Sequence, residues 1–234
     1  EAVFKILAKE SLSIHEKLIV ILDMGSKIQQ CINTDEYDNI KSVVNDYLKE
    51  GIAHTLDETR NLSDSGQFED ISLQQGIRQI LYPYEEMEVL NPEWEVILKD
   101  IIDSLFEQMS DEEYNILNEE FGTYMVSRAY EYRQLLEYLV FRYFAKSIYD
   151  YDFLGKCQML VTNFFVIRQM DIIRWLDNHR EYSFKDRMDV VHIFSRQVEY
   201  SEDNIENLYE DFIFDDIFKT DSLIAILWID SENI

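Results

Sequence analysis

Leu154-Gly155-Lys156-Cys157-Gln158-Met159-Leu160-Val161-Thr162-Asn163-Phe164-Phe165-Val166-Ile167-Arg168-Gln169-Met170-Asp171-Ile172-Ile173-Arg174-Trp175 reads as a helix that is apolar on nearly every side. A helix of that kind is surrounded by other elements instead of lying on a surface. The stretch therefore predicts an all-α fold, an irregular multi-helix bundle built around this central helix. Asn163 and Arg168 interrupt it, as Arg142 interrupts the apolar stripe before it. Buried polar groups need partners. The expected ones for these arginines are Glu137, Asp171 or Glu199, as structural ion pairs, with direct substrate contact as the alternative.

The neighbouring segments are also helical in pattern. Upstream, Leu135, Leu136, Leu139, Val140, Tyr143 and Phe144 form a wide apolar stripe. Downstream, Phe184, Met188, Val191, Phe194 and Val198 form a narrower one, which Ser201 ends while capping the next helix. Further out, Ser13 and Ser110 are expected caps, the latter before Asp111-Glu112-Glu113. Pro92 suits a helix start, and Pro83 should stop a helix begun near Ile71. The polar segment 57–70, with Ser63, Ser65 and Gly66, reads as a mobile loop. Leu223–Ile229 fits a helix or a strand. Two prolines and six glycines in 234 residues favour long helices over a turn-rich β fold. Residues 1–234 are expected to form a single helical domain, and a first residue other than methionine suggests a piece of a longer protein.

Twenty-one basic and 47 acidic side chains give a net charge of −26. Such a surface repels phosphate backbones and anionic lipid, which argues against nucleic acid and membrane partners. The charge is uneven: residues 128–196 hold 11 basic and 9 acidic side chains, leaving 10 and 38 for the rest. Carboxylates are scarce where the core signal is densest. Cys31 and Cys157 are far apart with no CxxC, which fits reduced thiols in the cytoplasm. No 18-residue uncharged apolar run marks a membrane span.

Familiar catalytic motifs are missing. The glycines are too scattered for a phosphate loop, and GxSxG and HExxH do not occur. His15, His54, His179 and His192 stand alone; Asp189 and His192 have the spacing of half a di-iron pair, but the second half is lacking. No metal site is expected. Cys157 reads as a core thiol.

The chain does carry one recognisable run. Glu137-Tyr138-Leu139-Val140-Phe141-Arg142-Tyr143-Phe144, the long apolar helix, and then Phe194-Ser195-Arg196-Gln197-Val198-Glu199-Tyr200-Ser201-Glu202-Asp203-Asn204 resemble the C-terminal half of the bacterial flagellin lysine-N-methylases. That family shows an ENxLxxxxF-like helix and a YSR-x-(I/V)-E-H-S-x-x-N run. Ser195, Arg196, Glu199, Ser201 and Asn204 match it; Phe194, Tyr200 and Tyr138 replace its tyrosine, histidine and asparagine. The resemblance implies methyl transfer from S-adenosylmethionine to flagellin lysines by the full-length protein. It also implies an iron–sulfur cluster in a cysteine-rich N-terminal region. Two distant cysteines cannot supply about four thiolates, so this portion alone is expected to be inactive. The candidate functional residues are Glu137, Arg142, Asn163, Arg168, Ser195, Arg196, Glu199, Tyr200, Ser201 and Asn204; the sequence assigns none of them a catalytic role. A noncatalytic helical protein-binding module is the other reading, and a homodimer is allowed under both.

Overall fold

The computed structural model describes residues 1–232. Every regular element among them is helical and none is a strand. The opening pair is α1 (Ala2–Leu7) and α2 (Ile14–Asn33), the latter started by a Ser13–Glu16 capping box. Next come α3 (Tyr37–Asp46), a π-helical turn at Tyr47–Gly51, and α4 (Ile52–Asp64). Segment 57–70 is thus not a continuous loop. It is helical as far as Asp64, and turns occupy only the rest. Ile52, Thr55, Leu56 and Thr59 give α4 one buried face, and the Thr55 hydroxyl donates to Asp23 Oδ2 at 2.6 Å. A stripe that short is hidden by the polar residues around it.

Ser72 caps α5 (Leu73–Glu85), which passes through Pro83 instead of stopping before it. The missing N–H removes one i→i−4 bond, and its place in the last turn confines the disturbance to the helix end. Tyr84 holds that turn, its hydroxyl donating to Asn163 Oδ1 at 2.8 Å and lying 3.0 Å from the Thr162 hydroxyl. Pro92 opens α6 (Pro92–Ile101), and Ser110 forms a capping box on α7 (Asp111–Met125). Then follow α8 (Ala129–Tyr143), the short α9 (Ser147–Asp150) and α10 (Phe153–Asp177). A Ser183–Asp186 capping box starts α11 (Phe184–Phe194), and α12 (Glu202–Phe214) and α13 (Thr220–Glu232) finish the chain. The apolar run Leu223–Ile229 lies within that last helix.

From Gly155 to Ile173 every residue of α10 is buried. It packs against α2, α5, α6, α8, α11, α12 and α13, while α2 lies against both α10 and α13. The α2–α10 approach needs Gly25, because an added Cβ would lie 2.6 Å from Cys157 Sγ. Each fully buried Leu, Ile, Val or Phe along α10 contributes about 1.5–3 kcal/mol. No helix among the described residues is long and apolar enough to cross a membrane.

Candidate functional site

Residues 195–204 do two different things. α11 widens into a π-helical turn at Ser195–Glu199, a distortion that recurs at functional sites. The turn faces Gln197 inward, and Asn204 in the first turn of α12 faces the same way. Together they grip the connection between α5 and α6. Asn204 Oδ1 accepts from the Glu88 amide at 3.0 Å, and its Nδ2 donates to the Glu88 and Gln197 carbonyls at 3.0 and 3.2 Å. Gln197 Oε1 accepts from the Leu90 and Asn91 amides at 2.9 and 3.2 Å, and its Nε2 donates to the Glu88 carbonyl at 2.7 Å. Ser201 caps α12, its hydroxyl accepting from the Asn204 amide at 3.1 Å. A loop that would otherwise bury unpaired backbone groups is satisfied by two side-chain amides.

The other flank leads from the buried Glu199 to the surface. Glu199 accepts from the Tyr138 hydroxyl at 2.6 Å and from Ser195 Oγ at 3.2 Å, joining the π turn to α8. Burial, and then the bond to Glu199 and its charge, push the Tyr138 phenol up to about 12. Arg196 and Tyr200 are exposed. Arg196 has no ion-pair partner among the described residues. An exposed guanidinium keeps its hydration and gains little by pairing. Arg142 is exposed as well, its guanidinium 5.7 Å from the Tyr143 ring, and Glu137 faces Arg133 at 3.8 Å. Among the described residues neither Arg142 nor Arg168 pairs with Glu137, Asp171 or Glu199, contrary to the expected ties.

The buried charges of α10 find other partners. Arg168, 2% exposed, donates to the Asn118 side chain and stands 3.6 Å from Asp230 of α13. His15 of α2 donates from Nε2 to the other oxygen of Asp230 at 2.7 Å, and its ring meets Phe164 edge-on. Burial alone would raise the Asp230 carboxyl, but Arg168 and His15 hold it below the ordinary carboxylate value. Asp171 serves Arg187 at 2.5 Å and the hydroxyls of Tyr132 and Tyr182. Glu131 extends this chain of charge, 3.2 Å from Arg187 and 2.8 Å from Arg128. Asn163 contributes its oxygen to Tyr84, while its buried Nδ2 has no hydrogen-bond partner among the described residues.

Two concavities lie beside these groups. One, of about 230 Å³, is lined by His15, Phe121, Met125, Tyr132, Phe164 and Arg168. The other is an apolar groove of about 730 Å³ between α1–α3 and α8–α9, which Phe4, Tyr37, Phe141, Phe144, Ile148 and Tyr151 help to line. Sequence reading missed His15, Asp230, Arg187 and Gln197. The available signals were a histidine beside the capped start of α2 and an aspartate closing the apolar run of α13. Both cysteines are buried, and burial pushes the Cys157 thiol up, away from the thiolate that a cluster needs. These residues do not fit an iron–sulfur cluster. Among the described residues no group of three or more His, Cys, Asp or Glu is placed to hold a metal ion.

Comparison with curated proteins and with solved structures gave no match. A family model does match, over residues 1–226, well beyond residues 130–212, over which the sequence resemblance is clear. With nearly its whole length covered, the chain belongs to the FliB lysine N-methylase C-terminal domain family.

Proposed function

We propose that this chain is the helical portion of a bacterial, cytoplasmic protein-lysine methyltransferase. The intact enzyme takes methyl groups from its co-substrate S-adenosylmethionine and places them on flagellin lysines. The family match across residues 1–226 carries this reading. The matching run Ser195, Arg196, Glu199, Ser201 and Asn204 supports it. Residues 1–234 alone do not transfer methyl groups, because their two cysteines cannot make the cluster that the resemblance implies. No step of the reaction is assigned to such a cluster here.

The apolar groove between α1–α3 and α8–α9 favours a second reading, a noncatalytic helical module that binds a protein. Incubating flagellin and labelled S-adenosylmethionine with the intact protein, and separately with residues 1–234, decides between them. Methylated lysine from the intact protein alone supports the methyltransferase reading. No transfer by either, with flagellin still bound, supports the module. Transfer by residues 1–234 would place catalysis in this chain without a cluster.

A further inference from the structure

The smaller pocket opens between the start of α2 and the turn joining α7 to α8. Ser13, Val126 and Ala129 form its exposed rim. Phe121, Met125, Tyr132 and Phe164 form apolar walls, and the buried His15 and Arg168 supply its polar atoms. At about 230 Å³ it is smaller than the roughly 300 Å³ at which drug-sized pockets begin. A single side chain suits it.

Two acceptors of this cluster, His15 Nδ1 and Asp230 Oδ1, lack a hydrogen-bond donor among the described residues. An ionised Asp230 can only accept, so the proton of a neutral His15 sits on Nε2, bonded to Asp230 Oδ2. Nδ1 then carries a lone pair, and the one hydrogen bond of the His15 ring among the described residues is that of Nε2. Asp230 Oδ1 also accepts no hydrogen bond. The Arg168 guanidinium is turned toward Asn118 and lies 5.6 Å from the Phe121 ring centre. Its charge disfavours a second cation nearby, so an aliphatic amine is better held neutral than as an ammonium ion.

We propose that this pocket takes the side chain of a substrate lysine, its methylenes between Phe121 and Phe164 and its Nζ at His15 Nδ1. The ammonium group gives one proton to solvent on entry, and the neutral amine donates a hydrogen bond to Nδ1. Asp230 holds the His15 ring through Nε2, and Nζ keeps the lone pair that a methyl acceptor needs. This inference rests on the lysine-methyltransferase reading and adds to it the residues that receive the amine.

The test uses residues 1–234 with isotope-labelled histidine, titrated with n-butylamine, and with butyrate as the anionic control. Butylamine should shift the His15 ring resonances saturably, and butyrate should not. Val126→Trp, which fills the rim without touching the buried cluster, should abolish the shift. His15→Gln should weaken butylamine binding, followed through labelled methyl groups, about ten-fold, as expected for one lost hydrogen bond. No saturable shift, a shift unaffected by Val126→Trp, or equal binding of butyrate would overturn the proposal. In the intact protein, methyl transfer that survives Val126→Trp would sink the pocket and leave the methyltransferase reading standing. Butylamine binding without any transfer by the intact protein would do the reverse.

Discussion

His15 and Asp230 stand 215 residues apart in the chain and 2.7 Å apart in space. The contact ties the start of α2 to the end of α13, and both residues are buried. Arg168 of α10 completes the link, so three helices share one carboxylate. Removing one member of such a cluster leaves a buried charge unpaired. Arg168→Met should therefore cost about 3–5 kcal/mol in urea unfolding.

The same carboxylate predicts an acid response. Asp230 is held below its ordinary value, near 3.9 in an unfolded chain. Its contribution is complete above that value and is lost as pH falls through the lower folded value. Unfolding midpoints measured from pH 6 down to about 2 should fall more steeply for the wild type than for Asp230→Asn.

Tyr138 predicts the opposite limb. Its phenol is raised to about 12 beside Glu199, so the folded state keeps its proton longer than the unfolded one, whose value is about 10. Stability from this group is complete below about pH 10 and is lost as pH rises through the folded value. Tyr138→Phe should flatten the alkaline limb of a midpoint-against-pH curve.

The close approach of α2 and α10 is testable by a double-mutant cycle. Gly25→Ala should cost about 1–3 kcal/mol, because its Cβ would meet Cys157 Sγ at 2.6 Å. Adding Cys157→Ala should recover part of that loss; thermal melts showing simple additivity would deny the contact.

Local signals were readable from the sequence wherever the physics is local. Ser13, Ser110 and Ser201 cap the helices they precede, and Pro92 opens α6. The all-round apolarity of 154–175 marks a helix that is buried on all sides. What escaped depends on tertiary placement. Pro83 is tolerated because packing of Tyr84 holds the turn around it. α4 hides its single buried face in polar sequence. No spacing rule reveals that Arg168 meets Asp230 or that Arg187 takes Asp171. The run from Ser195 to Asn204 was visible as a pattern. Its division into inward amides and a flank that leads to the surface depends on the π turn, which no periodicity announces.

That division is the central claim, and one experiment reaches it most directly. Melting temperature and methyl transfer are measured on the same samples of the intact protein carrying Asn204→Ala, Ser201→Ala, Arg196→Ala or Glu199→Gln. Asn204→Ala should lower stability by about 1–3 kcal/mol through unpaired groups at Glu88, and Ser201→Ala by about 1 kcal/mol through the lost cap, with transfer falling only as the fold is lost. Arg196→Ala, at an exposed and unpaired position, should stay within about 0.5 kcal/mol of wild type and keep its activity. Abolished transfer at an unchanged melting temperature, in Arg196→Ala or Glu199→Gln, would contradict the account and put the chemistry at the exposed Arg196 or the buried Glu199.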